Sequence, residues 1–138
     1  MSTIALVACS KKKAAGPLPA EELYAPSALF SKSRAYALAH ADRWLILSAR
    51  HGLVAPDQEL EPYDQRLGTT RTEREIWTNR VWFALRGELS KGDEVVMLAG
   101  RDYGRLLGAE LRRAGYQVSE PMEGLGLGAR LGWLSRNA

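Results

Sequence analysis

Apolar positions along this chain follow two rhythms. Residues 4–8 are continuously apolar and stop abruptly at Cys9 and Ser10, with lysines at 11, 12 and 13 following. A run without polar alternation marks a strand buried on both faces, as in a parallel sheet. Residues 44–49 repeat the device and end in Ser48-Ala49-Arg50-His51-Gly52, and 94–99 form a third such run, entered through Lys91-Gly92-Asp93 and closing on Gly100. Residues 116–119 read as a short fourth strand at an edge. Between these runs the spacing changes to three and four. Leu29, Phe30, Ala35, Tyr36, Leu38 and Ala39 predict one buried face of a helix over 28–41, with Ser27 at its N-cap. Residues 72–89 predict the longest helix, with Thr72 and Glu75 at capping-box spacing, Ile76, Val81, Trp82 and Leu85 inward, and Trp77 on a different face. Residues 101–114 predict a helix with Tyr103, Leu106, Leu107 and Leu111 inward and Gly115 just past its end, and a last helix covers 129–134.

Strands alternating with crossover helices predict an α/β fold, a three-layer sandwich around a mostly parallel, Rossmann-like sheet of about four strands. Residues 1–138 read as one domain without internal repeats. Residues 14–26, with Gly16, Pro17, Pro19 and Pro26, read as a loop. So do residues 53–70, with Pro56, Asp57, Pro62, Tyr63 and Asp64, and a loop of that length is more in keeping with function than with passive connection. Gly124, Gly126 and Gly128 do not fit the dinucleotide fingerprint and favour tight helix packing over an anion site.

Composition narrows the classes. With 46% hydrophobic and 25% charged residues the chain is of globular type, and no apolar run approaches the roughly 20 residues of a membrane span. The opening run is too short for a signal peptide, and its lysines follow it rather than precede it. A single cysteine excludes an internal disulfide and a cysteine-rich zinc site, and suits a reducing cytoplasm. The formal charge of +3, from 19 basic and 16 acidic residues, permits an anionic ligand without demanding one. Lys11, Lys12 and Lys13 with Arg71, Arg74, Arg80 and Arg86 make a positive face if their elements converge, and scattered solubilising charge if they do not.

In a parallel sheet the C-terminal strand ends share one edge, where ligands bind. That edge would gather Cys9 and Ser10, then Ser48, Arg50 and His51, then Gly100, Arg101 and Asp102. A thiol near lysines and a histidine would have its reactive thiolate form favoured, and a thiol in apolar surroundings would be pocket wall. His51 reads as a general base or as a turn residue tying the loop down, and His40 as a partner of its helix's C-terminal dipole. Asp57 and Asp64 could activate water or hold a base or ribose edge, or shape their loop through Asx-turns. Two histidines without a patterned carboxylate cluster give no catalytic metal site, and no cofactor is implied.

Several segments together carry a resemblance: Ala-Cys-Ser-Lys-Lys-Lys at 8–13, Glu-Leu-Tyr-Ala-Pro-Ser-Ala-Leu-Phe at 22–30, Leu-Ser-Ala-Arg-His-Gly-Leu-Val at 47–54, Pro-Tyr-Asp at 62–64 and Leu-Ala-Gly-Arg-Asp-Tyr at 98–103. Nearly the whole chain resembles an uncharacterised bacterial and phage domain family of unknown function. More remotely it is similar to the YaaA peroxide-stress proteins. The series Cys9, Ser10, Lys13, Tyr24 and Ser27 also resembles the Cys-Ser, Lys, Tyr, Ser motif of the archaeosine synthase catalytic domain, which works on a modified guanine base in RNA. The resemblance implies a nucleobase or nucleotide pocket at the sheet edge. The resulting expectation is a cytoplasmic hydrolase or transferase acting on a nucleobase, nucleoside, nucleotide or modified base in nucleic acid, at a glycosidic bond or exocyclic group. Cys9, His51 and Asp57 would be catalytic, and Ser10, Lys13, Tyr24, Ser27, Ser48, Asp64, Gly100 and Tyr103 would hold the substrate. A competing expectation is a non-catalytic nucleic-acid-binding or stress-response module whose lysines and long-helix arginines contact phosphates. An interaction-only protein would instead expose an apolar patch around Trp77 or Trp133.

Overall fold

Strand β1 (Thr3–Ala8) lies at the centre of the sheet because its residues have somewhere apolar to go on both sides. In the computed structural model, which describes residues 1–138, Ala5 and Val7 enter one hydrophobic core while Ile4 and Leu6 enter another. Parallel neighbours flank it: β3 (Arg43–Ser48) on one side and β6 (Glu94–Leu98) on the other. Beyond β6 runs the short parallel strand β7 (Gln117–Ser119), and beyond β3 the chain doubles back as the antiparallel β4 (Gly52–Val54), giving five strands in the order β4-β3-β1-β6-β7. One strand more than the sequence suggested arises at the β3–β4 hairpin. Gly52 makes it feasible, adopting φ +73° where a side chain would be strained.

Helices cover both faces. Helices α2 (Ala28–His40) and α5 (Leu127–Asn137) pack together over the Ala5/Val7 face, and α3 (Arg71–Leu85) and α4 (Arg101–Arg113) over the Ile4/Leu6 face. The fold is thus mixed α/β with a mostly parallel sheet, and no helix is long and apolar enough to cross a membrane.

The two breaker-rich segments are not irregular throughout. Leu18–Pro19 (β2) pairs antiparallel with Glu59–Leu60 (β5), and the four-residue helix α1 (Ala20–Leu23) follows directly. Two further backbone bonds, Ala20 N to Gln58 O and Glu21 N to Pro56 O at 2.8 and 2.9 Å, extend the seam. Each segment supplies the backbone partners that the other lacks, which buries Leu23, Tyr24, Leu60 and Tyr63 under the loops.

Three helix expectations are corrected. On α2 the buried residues are Phe30, Ser33 and Ala37, while Leu38 is exposed, because a helix rich in alanine can turn either of two faces inward at similar apolar cost. On α3 the inward residue is Trp77 and Ile76 is 64% exposed: the indole fills the space against the sheet, and its N–H finds an acceptor there. The N-cap of α3 is Thr70, not Thr72; its Oγ1 accepts from Glu73 N at 3.1 Å. The glycine-rich stretch serves no close packing either. A Cβ built at Gly124, Gly126 or Gly128 meets nothing within 4 Å, and only Gly124 takes a left-handed conformation, φ +79°.

Trp77→Ala should lower stability by about 3–5 kcal/mol, the usual cost of emptying a large aromatic site. Ile76→Ala should stay within about 0.5 kcal/mol, as exposed positions do. Urea denaturation of the two variants checks this, and equal losses would reverse the assignment of the buried face.

Candidate functional site

Among the parallel strands β1 has β3 on one side and β6 on the other, so the chain's winding direction reverses beside it. A crevice outside the strand ends is expected at such a reversal. Cys9 stands there. Its backbone N–H bonds to Leu47 O at 2.8 Å, fixing it as the last rung on β3, and its Sγ lies 3.4 Å from the hydroxyl of Tyr103, on the first turn of α4 beyond β6.

Below Cys9 runs a chain of hydroxyls. Tyr24 Oη and Tyr63 Oη are 2.5 Å apart, Tyr63 Oη and Ser48 Oγ 2.7 Å, and Ser48 Oγ accepts from His51 N at 3.1 Å. Tyr24 and Ser48 are fully buried. Removal from water pushes the phenol pKa of Tyr24, Tyr63 and Tyr103 upward, and for Tyr63 and Tyr103 the nearby Cys9 sulfur reinforces the shift. All three therefore stay neutral hydroxyls that can donate as well as accept.

His51 closes the other end. Its ring meets Tyr63 edge-on, with centroids 5.3 Å apart. Partial burial, then the positive charges of Arg50 and Arg80, lowers its pKa, so the imidazole is neutral at physiological pH. Lys13 reaches over from the loop after β1, its Nζ 4.4 Å from the Tyr63 ring centroid and 5.9 Å from that of Tyr24. Ser10 Oγ lies 2.7 Å from Lys12 O and 3.4 Å from Tyr24 O, which folds that loop onto the cluster. On the far side Trp77 Nε1 donates to Ser48 O at 2.9 Å and the indole meets Tyr103 edge-on.

The structure thus brings together Cys9, Ser10, Lys13, Tyr24, Ser48, His51 and Tyr103. It separates others. Ser27 is used as the N-cap of α2, accepting from Phe30 N at 3.2 Å. Gly100 is the N-cap of α4 and contributes backbone alone. Asp57 and Asp64 are exposed, and no hydrogen bond ties either carboxylate to the cluster. His40 is the last residue of α2, and its Nε2 lies 2.7 Å from Asn137 O at the end of α5.

Sequence reasoning gave Tyr63 only the part of a loop residue covering the pocket, and put Trp77 on a different face from the core residues of its helix, at an edge or an interface. In both cases the signal was an aromatic with a polar atom in a polar context, which must bury its ring and find that atom a partner. It also left Arg105 unremarked. Two clefts, of about 320 and 430 Å³, share Arg101 and Arg105 in their walls, and no side chain of the hydroxyl cluster lines either of them.

Tyr63→Phe removes the middle hydroxyl and leaves those of Tyr24 and Ser48 buried with a partner fewer, which should lower stability by about 1–3 kcal/mol in urea denaturation. Folding should also depend on His51 protonation. Its folded pKa lies below the unfolded value of about 6.5, so its contribution is complete above that pH and declines as pH falls toward the lowered folded value. Stability of wild type and His51→Gln, followed between about pH 7 and pH 5, should diverge in that window. Parallel curves would show that the ring environment does not disfavour the charged form.

Residues 4–136 match a family described as a family of unknown function (DUF6884). The chain is also similar to the uncharacterized protein YfjM of Bacillus subtilis (strain 168), 36% identical over 119 residues that cover 79% of this chain and 77% of that protein. No solved structure matches. With the match running from the first residues of β1 nearly to the end of α5, the chain belongs to the DUF6884 family.

Proposed function

We propose that this chain binds a nucleobase, nucleoside or nucleotide at the C-terminal edge of a Rossmann-like sheet and acts on its glycosidic bond or an exocyclic group. The observation that carries the reading is the contact of Cys9 with Tyr103 across the β1/β6 reversal, in one cluster with a neutral histidine and the Ser48 and Tyr63 hydroxyls. Aromatic edges and neutral donor–acceptor groups suit a heterocycle, whose rim offers both. His51 would take or give a proton, and Cys9 would be nucleophile or pocket wall. Asp57 has the least support, its carboxylate being exposed. The remoter resemblances, to the YaaA peroxide-stress proteins and the archaeosine synthase catalytic domain, belong to this proposal. Of the motif series, Cys9, Ser10, Lys13 and Tyr24 lie near one another, while Ser27 is taken up by capping. Cys9 is free, which suits a reducing cytoplasm.

The arginines around α4 favour a second reading, a non-catalytic nucleic-acid-binding module, in which phosphates supply the affinity. Salt separates the two. Phosphate-dominated binding falls steeply between low and moderate salt, and binding of a neutral base or nucleoside does not.

A thermal-shift screen of bases, nucleosides and nucleotides tests the proposal. A ligand at a hundred times its Kd should add about 2.7 kcal/mol of apparent stability, a shift of several degrees. His51→Ala should abolish that shift while lowering intrinsic stability by about 1 kcal/mol. No shift with any base, nucleoside or nucleotide at millimolar concentration would sink the reading. An unfolded His51→Ala would make the histidine structural.

A further inference from the structure

We propose that the two clefts flanking the start of α4 form one site for a compact, multiply charged phosphate chain, the di- or triphosphate part of a small ligand. The first cleft, about 320 Å³, lies between α3 and α4, and the second, about 430 Å³, lies on the other side of α4 toward Met97 and Met122. Both have Arg101 and Arg105 in their walls, so these two guanidiniums stand where the clefts adjoin. Exposed arginines are ordinarily no more than solubilising charge. What distinguishes these is how the neighbouring carboxylates are distributed.

Arg74 is matched by Asp102 at 3.1 Å, and Arg112 by Glu120 at 3.0 Å. Arg101, Arg105 and Arg130 have no carboxylate within salt-bridge distance. The cleft walls therefore hold three guanidiniums without a salt bridge against one carboxylate, Glu123, that is likewise unpaired, a net positive excess. Arg130 is also held in place, its Nε donating to Leu125 O at 2.9 Å while Nη1 sits 3.5 Å from the Cβ position of Gly100. A Cβ at 100 would make only ordinary van der Waals contact with that guanidinium, which lies against the first turn of α4. Planar forks of N–H donors match phosphate oxygens two at a time, and three of them around one concavity suit several linked phosphates better than a single carboxylate. Both volumes lie at the small-molecule end of the range for ligand pockets. They are concavities rather than a continuous basic track, which favours a small polyphosphate over a nucleic-acid strand.

The anion site stands on the arginines alone, and it rests on the proposed function only for what the phosphates are attached to. In low-salt buffer, binding of inorganic pyrophosphate, inorganic tripolyphosphate, an uncharged nucleoside, nucleoside triphosphates and a short single-stranded oligonucleotide is measured by calorimetry on the full chain. The comparison is with the Arg101→Gln/Arg105→Gln variant. Its unliganded circular dichroism and Tm should equal wild type, since both side chains are exposed and unpaired. Tripolyphosphate should bind wild type more tightly than pyrophosphate, and the double variant at least tenfold more weakly. Any uncharged nucleoside that binds should be unaffected by the substitutions. Single Arg101→Gln and Arg105→Gln variants take the place of the double variant if it misfolds, each with a smaller loss in the same order. Absence of binding by both inorganic chains, or binding undiminished in every variant, overturns the proposal. An oligonucleotide held far more tightly than tripolyphosphate, with affinity lost in the variants, overturns the commitment to a small ligand. Inorganic chains bound while no nucleoside compound adds affinity would uphold the anion site and defeat the nucleobase reading. The reverse result would do the opposite.

Discussion

Ser48 is fully buried at the last position of β3, and every polar atom it carries past the sheet has to be answered inside the protein. Its carbonyl takes the Trp77 N–H from the α3 side, and its hydroxyl meets Tyr63 and the His51 amide from the loop side. An unanswered polar atom there would cost about 1–3 kcal/mol, so the requirement is strict. Through this one residue the helical layer, the hairpin turn and the long loop are brought into register. Cys9 inherits the arrangement, because its own amide is tied to Leu47, next to Ser48.

The strands were legible because burial on both faces leaves an unbroken apolar run, a signal that needs no partner to be seen. Cys9, Ser48 and His51 were legible for the same reason, as the first polar residues where such runs stop. The β2–β5 seam was not, since a two-residue pairing has no periodicity, and its backbone bonds join residues about forty positions apart. The inward face of α3 was misread because Ile76 and Trp77 are adjacent, and hydrophobicity alone does not choose between neighbours. The choice fell to an acceptor, Ser48 O, supplied by an element elsewhere in the chain. Asp57 and Asp64 looked chemical in sequence, yet Tyr63 close by is the loop residue that turns in. A phenol brings apolar area as well as a hydroxyl, whereas a carboxylate would have needed a buried cation.

Two electrical environments meet at α4. Around Cys9 lie phenols that burial keeps protonated, with the Lys13 ammonium resting over the Tyr63 ring. About half a turn away along α4, unpaired guanidiniums face open clefts. Tyr103 and Arg101 are two residues apart on the same helix, so their separation is fixed by backbone geometry rather than by side-chain packing.

The seam between the two breaker-rich segments has a dynamic meaning. Pairing Leu18 with Leu60 makes residues 18–24 and 56–63 one cooperative unit, which opens as a whole or not at all. Because that unit carries Tyr24 and Tyr63, water reaches the hydroxyl chain in a single event rather than by gradual fraying. Protected amides on both segments should then report one common opening free energy by hydrogen exchange, smaller than that of global unfolding.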